Sequence, residues 1–310
     1  QKRRYHLMLN IGFFGDGPWA DKTLKKISKD NKFSLSFIVS RFEKPDIKLK
    51  KWSKKLGVDF ISFENINSPK AIAKIKKYDA DLFVSMSFDQ ILKKEIIRLP
   101  QMGFLNCHAG ALPFYRGRNI LNWALINDEK EFGVTVHFID EGIDTGDIIL
   151  QKKRRIFDND DYSTLLRKAE NLCAECLYEA IGKIESGNFK RIKQKSIHPN
   201  GSYFFKRKKG DEIINWNSSS RDIFNFVRAL SDPGPCAQTF HNKKILKLRR
   251  VKIPKIRNVY KGKPGEVVLK RNNYVFIKTE DSVIKLSLED SLSTKNQLLL
   301  QSLNLGDLLI

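Results

Sequence analysis

The stretch that decides the fold is Leu7-Met8-Leu9-Asn10-Ile11-Gly12-Phe13-Phe14-Gly15-Asp16-Gly17-Pro18-Trp19. The compact apolar run Tyr5–Phe13 predicts a strand, and the glycine-rich residues after it predict a tight turn. A helix is predicted to follow over Ala20–Lys29. This order of strand, turn and helix begins a pattern that continues through the first half of the chain.

Strands and helices alternate along this half. Further strands are predicted over Ser34–Ser40, Val58–Phe63, Asp81–Ser87, Phe104–His108 and Val134–Ile139, and helices over Ile47–Leu56, Ala71–Tyr78 and Tyr162–Ile184. Strands that alternate with helices indicate a parallel sheet with crossover helices. The sequence therefore predicts an α/β fold with a mostly parallel, Rossmann-like sheet flanked by helices.

The pattern changes after about Gln194. Ser196–Gly210 is polar and basic, as is typical of a linker, and Asp222–Ala229 predicts a short helix that stops before a proline-rich turn. From Thr239 onward the pattern predicts only strands, over Lys244–Val251, Gly265–Val268, Tyr274–Thr279 and Val283–Leu288. We therefore expect an N-terminal domain over residues 1–195, a linker and helix over 196–238, and a small β-barrel-like (OB-like) domain over 239–310.

Composition excludes several classes of protein. No apolar run of the 310 residues approaches the roughly 20 that a membrane helix needs, and the N-terminus does not resemble a signal peptide. Four cysteines do not form a disulfide framework, so a cytoplasmic location is expected. Cys173 and Cys176 lie in a predicted helix without a second ligand pair, and we interpret them as apolar packing residues.

The chain is strongly basic, with a net charge of +22 from 57 basic and 35 acidic residues. Such a balance is typical of proteins that bind nucleic acid, an anionic membrane surface or a phosphorylated substrate. The lysines and arginines are scattered through most predicted helices and loops. Charge alone therefore does not distinguish these partners.

Residues that could act in catalysis lie at the end of one predicted strand. Asn106 and His108 lie two positions apart at the end of that strand, so both side chains share one face of the sheet. In an open α/β sheet, ligands bind beyond the carboxyl ends of the strands. An amide can stabilise an oxyanion there, and an imidazole can accept a proton from an attacking amine. Asp144 is the carboxylate we expect to orient His108.

These residues belong to a longer set of motifs that resembles the N10-formyltetrahydrofolate-dependent formyltransferase family. The set comprises Asn106-x-His108, Leu112-Pro113-x-Tyr115-Arg116-Gly117, Trp123-Ala124, Gly133-Val134-Thr135-Val136-His137 and Asp144-Thr145-Gly146-Asp147. Their order and spacing match over about residues 80–150, and weaker similarity extends over most of the chain. The resemblance implies a catalytic N-terminal domain that uses N10-formyltetrahydrofolate as co-substrate, and no metal.

Three features are most similar to the sugar-nucleotide N-formyltransferases of this family. They are the first turn Gly15–Trp19, the segment Tyr115–Trp123, and the short connection between Ser34–Ser40 and Ile47–Leu56. The tRNA enzymes of the family carry a long basic insertion at that connection. The resemblance thus favours an amino-dideoxy sugar linked to dTDP or UDP as acceptor, in surface polysaccharide synthesis. The alternative is methionyl-tRNA formylation, which the charge and the β domain favour.

The resemblance also implies roles for individual residues. His108 would accept the proton of the amine, Asn106 would bind the formyl oxygen, and Asp144 would hold His108 or a water. Folate contacts are expected from Met86, Phe88, Gln90, Phe138, Asp140, Glu141 and Ile143, with the alternative that Met86 and Ile143 are plain core residues. Sugar-nucleotide contacts are expected from Trp19, Tyr115, Arg116, Gly117, Arg118 and Asn119, with an arginine fork on the diphosphate. The alternatives are that Arg116 braces its loop structurally and that Trp19 caps the core.

Other expectations concern the remaining histidines and the partners. His137, His198 and His241 have no recognisable partner pattern, so we interpret them as structural or surface residues. Analogy with the family predicts a homodimer. A nucleic-acid-binding module on an inactive enzyme scaffold would require a broken Asn106, His108 and Asp144 set, and the set is intact.

Overall fold

A computed structural model describes residues 8–255 and 260–310. Its first elements are β1 (Leu9–Gly15), α1 (Gly17–Ile27), β2 (Phe33–Val39), α2 (Ile47–Leu56), β3 (Asp59–Ile61), α3 (Pro69–Lys76), β4 (Leu82–Met86), α4 (Lys94–Ile97), β5 (Phe104–His108), β6 (Arg116–Gly117), α5 (Ile120–Ile126), β7 (Glu131–Phe138) and β8 (Ile148–Arg155). They are followed by α6 (Tyr162–Glu185), α7 (Gln194–Ile197), β9 (Tyr203–Phe204), α8 (Ser220–Leu230), β10 (Ala237–His241), β11 (Lys244–Leu248), β12 (Val267–Arg271), β13 (Tyr274–Lys278), β14 (Val283–Ser287), a 3₁₀ turn (Leu288–Asp290) and α9 (Thr294–Ser302).

These elements form two compact units that interleave along the sequence. The first unit holds the described residues up to Gly117 together with Phe132–Arg154 and Arg167–Phe204. The second holds Arg118–Glu131, Arg155–Leu166 and the described residues after Phe204. The domain boundaries predicted from the sequence, in contrast, follow the chain in order.

The first unit is built on a seven-stranded sheet of order β3-β2-β1-β4-β5-β7-β8. The five strands from β3 to β5 are parallel, and β7 runs antiparallel to β5. The predicted mostly parallel sheet with flanking helices is therefore confirmed. The beginning of the predicted strand Tyr5–Phe13 lies outside the described residues, and the described strand starts at Leu9.

Aromatic rings from four neighbouring strands form the centre of this unit. Phe14, Phe37, Phe83 and Phe104 come from β1, β2, β4 and β5, and all are buried. Ring centroids lie 5.7 Å apart for Phe14 and Phe37 and 4.8 Å apart for Phe14 and Phe104. Each ring contributes apolar burial worth roughly 1.5–3 kcal/mol. Because parallel strands are buried on both faces, their sequences are rich in apolar residues, which made them recognisable.

The second unit contains antiparallel strands in two small sheets, the pair β10-β11 and the triplet β12-β13-β14. Their inner side chains, such as Ile277, share one apolar core with Trp216, with Val227 of α8 and with Leu300 of α9. The C-terminal strands expected from the sequence are therefore present, and the structure shows that they pair in antiparallel fashion. Over the described residues, no helix is long and apolar enough to cross a membrane.

The expectation of strands alone after Thr239 is wrong, because α9 is a helix. Ser293 caps its first turn by accepting a hydrogen bond from the N–H of Asn296. Leu299 and Leu300 then enter the core of the second unit. A short apolar run such as Leu298-Leu299-Leu300 fits a strand or a helix equally well by its periodicity. The capping serine was the signal that could have identified the helix.

The segment predicted as a linker also carries regular structure. Gln194–Ile197 forms α7, and Tyr203–Phe204 forms β9, which pairs in parallel with β6. These elements are very short, so neither leaves a periodic pattern in the sequence. They nevertheless supply contacts to the site described below.

Glycine at position 12 is required by the aromatic core. A Cβ atom there would lie 2.4 Å from Cζ of Phe37 and 2.7 Å from Cδ1 of Phe83. We predict that Gly12→Ala lowers the free energy of unfolding by about 1–3 kcal/mol, the usual cost of overpacking. Urea denaturation measures this change.

The matched control is Gly182→Ala in α6, where a Cβ would meet no atom within 4 Å. This substitution should raise the free energy of unfolding by about 0.5–1 kcal/mol, because alanine favours helix over glycine. Equal stability of the two variants would contradict the steric account of Gly12.

Candidate active site

The site begins at the end of β5. Asn106 and His108 are both partly buried, and in the register of β5 with β7 they oppose His137 and Thr135. The antiparallel pairing thus places a second histidine directly across from Asn106. Because residues two apart share a face, His108 and this histidine lie on the same side of the sheet.

Asp144 brings the two imidazoles together. One carboxylate oxygen, Oδ2, lies 3.6 Å from Nδ1 of His108, and the other, Oδ1, lies 3.6 Å from Nε2 of His137. The backbone N–H of Gly117 donates a hydrogen bond of 2.9 Å to Oδ2. Asp144 has a φ of 53°, a left-handed conformation that aspartate tolerates better than most residues.

The cluster holds a negative charge at Asp144. Burial by itself raises the pKa of this carboxyl, but the nearby His108, His137 and the N–H of Gly117 together outweigh it. The pKa of Asp144 is therefore well below its usual range. A carboxylate kept ionised in a mostly buried position can stabilise an imidazolium beside it.

His137 is part of the cluster, so its interpretation as a structural or surface residue needs correction. Its Nε2 lies 3.2 Å from Nδ2 of Asn106, and its Nδ1 donates to the carbonyl of Phe138 at 2.7 Å. The contact with Nε2 fixes the side-chain amide of Asn106. The signal was available: His137 ends the quoted motif Gly133–His137 and precedes Asp144 by only seven residues.

Three consecutive residues brace the cluster from one side. The carbonyl of Tyr115 lies 2.7 Å from Nε2 of His108. A carbonyl can only accept, so this nitrogen carries the hydrogen and Nδ1 faces Asp144. Arg116 and Gly117 form β6, and Tyr115 itself has a φ of 57°. The ring of Tyr115 stacks on Phe204 with centroids 4.7 Å apart.

Arg116 does not lie where the arginine fork was predicted. It is 5% exposed, and Nε and Nη2 both donate to Oε1 of Gln194, at 3.0 and 2.7 Å. Nη1 donates to the carbonyl of Asn200 and to the hydroxyl of Tyr203. The guanidinium is thus committed to the protein itself, and the prediction that it grips a diphosphate is corrected. An arginine in a short sequence motif has the same appearance whether it binds a diphosphate or bonds to groups of the protein itself.

The other predicted sugar-nucleotide residues are more accessible. Trp19, in the first turn of α1, and Gly117 are both half-buried. Position 117 requires glycine, because its φ is 98° and a Cβ atom there would lie 2.2 Å from the carbonyl oxygen of Phe204. Arg118 and Asn119 are exposed members of the second unit, where Oδ1 of Asn119 accepts the N–H of Arg207 at 2.9 Å.

The predicted folate residues fall into two groups. Met86 is buried in β4, and the Gln90 amide bonds the backbone of Ile66 and Phe63, so neither side chain is free for a ligand and both predictions are corrected. Phe138 is buried with the guanidinium of Arg191 3.7 Å from its ring centroid. The sequence pattern did not separate these packing positions from exposed ones.

The remaining folate residues are better placed for a ligand. Phe88 is half-buried, while Asp140, Glu141 and Ile143 are exposed on the loop that leads to Asp144. Oδ1 of Asp140 accepts from the N–H of Gly142 and from the hydroxyl of Thr145, which fixes this loop. Its exposed backbone and the 55% exposed Ile143 suit a flat ring with hydrogen-bonding edges.

Cysteines and metals take no part in this arrangement. Cys173 and Cys176 are buried free thiols in α6, as expected for packing residues. Among the residues that the structure describes, no group of three or more His, Cys, Asp or Glu side chains could hold a metal ion. The cluster instead combines an amide donor, an imidazole and an ionised carboxylate, which suits proton transfer beside a developing oxyanion.

Comparison with known proteins identifies the class. Residues 9–181 match the formyl transferase family, and residues 206–303 match the formyl transferase C-terminal domain. The chain therefore belongs to the formyltransferase family and is a formyl-transferring enzyme. This family uses N10-formyltetrahydrofolate as formyl donor, in agreement with the prediction from the sequence.

The individual relatives include two substrate classes. The methionyl-tRNA formyltransferase of Thermodesulfovibrio yellowstonii is 36% identical over 287 residues, which cover 90% of each chain. The structure of WlaRD, a sugar 3N-formyl transferase in the presence of dTDP and 5-N-formyl-THF, is similar with a TM-score of 0.69 and 25% identity, covering 93% of this chain and 99% of that one. An N-formyltransferase from Helicobacter canadensis, with folinic acid and dTDP-3-aminofucose, shares the fold at a TM-score of 0.66 and 22% identity, covering 91% and 99%.

The depressed pKa of Asp144 predicts a pH-dependent contribution to stability. A carboxyl with a lowered folded-state pKa stabilises the fold above its unfolded value, about 3.9, and loses this contribution as pH falls through the folded value. Asp144→Asn should therefore lower the free energy of unfolding by about 1–3 kcal/mol at neutral pH, with a smaller difference below about pH 3. Asparagine keeps the left-handed backbone accessible.

Urea denaturation of both proteins across this pH range measures the difference. The control is Asp59→Asn, since Asp59 makes exposed contacts with Lys74 and Tyr78. Exposed pairs contribute little, so its effect should be under about 1 kcal/mol. A constant gap between wild type and Asp144→Asn at all pH values would contradict the charge-based account.

Proposed function

We propose that the protein transfers the formyl group of N10-formyltetrahydrofolate to the amine of an amino-dideoxy sugar linked to dTDP or UDP. A 4-amino-4,6-dideoxyglucose or its 3-amino isomer is the expected type of sugar, for synthesis of a surface glycan. The observation that carries this choice of acceptor is the short connection between β2 and α2. It leaves no space for the long basic insertion by which the tRNA enzymes of the family are distinguished.

The connection between β2 and α2 is short, and hydrogen bonds and an ion pair hold it in place. It comprises only Ser40–Asp46. Asp46 caps α2 by accepting the N–H groups of Lys48 and Leu49, while its second oxygen accepts the N–H of Gly17 at 2.9 Å. Arg41 forms an ion pair with Asp16. Both contacts lead to the first turn Gly15–Trp19, which independently resembles that of the sugar enzymes.

The cluster supplies the proton chemistry of this proposal. Formyl transfer forms a bond between the sugar nitrogen and the formyl carbon and breaks the bond from that carbon to N10 of the folate. Nδ1 of His108 takes the proton that the amine loses, because Nε2 already donates to Tyr115. Asp144 stabilises the resulting imidazolium at 3.6 Å. The proton then passes to the departing N10, so charge balances over the reaction.

Asn106 supports the other end of the reacting bond. An amide N–H aimed at the formyl oxygen stabilises the negative charge that develops there. His137 holds this amide through the 3.2 Å contact between its Nε2 and Nδ2 of Asn106. Tyr115, Trp19, Arg118 and Asn119 remain the proposed sugar-nucleotide contacts, and the loop Asp140–Ile143 with Phe88 remains the proposed folate contact.

A second candidate acceptor is methionyl-tRNA. The relative from Thermodesulfovibrio yellowstonii that carries this name covers 90% of the chain at 36% identity, and the net charge of +22 is compatible with RNA. This candidate requires tRNA to be gripped without the insertion between β2 and α2. Binding through phosphate contacts would weaken steeply with added salt.

The acceptor is determined by offering both classes to the purified protein. We predict that, with N10-formyltetrahydrofolate, a dTDP- or UDP-linked 3-amino or 4-amino dideoxy sugar gains the mass of one formyl group in mass spectrometry. Methionyl-tRNA in a parallel reaction should remain unmodified. Formylation of the tRNA alone would overturn the sugar assignment and leave formyl transfer intact.

The role of His108 is tested once an acceptor is known. His108→Ala should reduce kcat by at least about 10²-fold, the usual contribution of a positioned base, while the Kd of the sugar nucleotide changes little. Isothermal titration calorimetry measures the binding. The matched control is His241→Gln in the second unit, which should retain turnover because His241 pairs with Asp307 outside the cluster. Weakened binding with surviving turnover would contradict the assignment.

A further inference from the structure

A glutamine that no motif singled out joins the two loops of the site. Gln194 begins α7 and is 2% exposed. Its Nε2 donates to the backbone carbonyls of Asp144 and Gly146, both at 2.8 Å. Its Oε1 accepts two N–H groups of Arg116. Both donors and both lone pairs of the amide are thus used, which is the full capacity of the group.

The Gln194 side-chain amide lies between two segments of the site. On one side is the main chain of Asp144, whose left-handed conformation costs free energy and must be held by its surroundings. On the other side is Arg116, between the residue that accepts from His108 and the residue that donates to Asp144. The hydrogen bonds from Arg116 to Gln194 and from Gln194 to the Asp144 backbone therefore connect the segment that fixes the His108 imidazole with the loop that carries the Asp144 carboxylate.

We propose that Gln194 is a positioning residue for formyl transfer, which through Arg116 and the Asp144 backbone sets the distance between the Asp144 carboxylate and His108. This inference rests on the proposed function in that Asp144 and His108 act in the transfer. Gln194 contacts no substrate in this role. A shift of about 1 Å in such a pair can cost roughly 10²-fold in rate.

The substitution Gln194→Met tests the role with little change in volume. Methionine fills the same space but offers neither the two donors nor the acceptor for Arg116. We expect kcat to fall about 10- to 100-fold with the KM of both substrates nearly unchanged. Loss of a merely structural contact would instead lower the yield or the Tm and leave kcat of the folded fraction intact.

The link through Arg116 is tested by a double-mutant cycle. Arg116→Met, Gln194→Met and the double variant remove the same bridge at different points. If the bridge carries the effect, the double variant should lose no more kcat than the more damaging single variant. Multiplied losses in kcat would show that the two residues act separately, and would overturn the proposed chain.

A readout that needs no acceptor separates failure of this inference from failure of the proposed function. In protein labelled with ¹³C at aspartate carboxyls, the Asp144 resonance should stay that of a carboxylate in wild type at about pH 4.5. In Gln194→Met the carboxyl should be partly protonated at that pH, because His108, His137 and the N–H of Gly117 no longer face it closely. An unchanged Asp144 resonance would overturn the inference, whatever the acceptor is.

The matched control is another buried amide, Asn296 in the second unit, whose Nδ2 donates to the carbonyl of Lys247 at 3.0 Å. Asn296→Leu should lower the Tm by a few degrees, as expected for a lost buried hydrogen bond. It should leave kcat and the Asp144 resonance unchanged. An equal effect on that resonance would mean that general loosening, and not the bridge, moves Asp144.

Discussion

One carboxylate between two imidazoles is the interaction on which the site depends. Asp144 lies 3.6 Å from both His108 and His137, and each imidazole is in turn fixed by a backbone carbonyl. The carbonyls decide which ring nitrogen faces the carboxylate, so protonation and orientation are set together. The carboxylate stays ionised despite burial because the nearby His108, His137 and the N–H of Gly117 lower its pKa.

Backbone geometry is what makes this arrangement possible. Tyr115 and Asp144 adopt left-handed conformations, and Gly117 adopts a positive φ with the carbonyl of Phe204 where a Cβ would be. Each strained residue costs free energy, and such strain persists only where neighbouring contacts determine it. Here the contacts come from β9 and α7, the short elements after α6. The residues of β9 and α7, which show no periodic sequence pattern, thus support the strained backbone at Gly117 and Asp144.

The sequence predicted those parts of the molecule that follow from periodicity or from a long motif. The buried strands β1, β2, β4 and β5 are rich in apolar residues, and Asn106, His108 and Asp144 were selected because the motifs around them resemble a family in order and spacing. Periodicity did not reveal α9, whose short leucine run fits two structures.

Side-chain roles that depend on tertiary contacts were beyond the sequence for a different reason. Arg116 and Gln90 have donors that suit a ligand, yet both donate to groups of the protein itself. Gln194 lacks any local signal of its partner, because Asp144 is 50 residues away along the chain. Only the fold decides whether such a polar group meets the ligand or another residue.

The charge of the chain has to be weighed in the same way. A net charge of +22 raises the local concentration of any polyanion, and both a diphosphate and a tRNA qualify. Long-range attraction therefore affects the rate of encounter more than the choice of acceptor. The choice depends on what a rigid surface leaves room for. In this chain Asp46 and Arg41 join the connection to α2 to the first turn, so the proposed choice of a sugar nucleotide over tRNA rests on a short, closed loop.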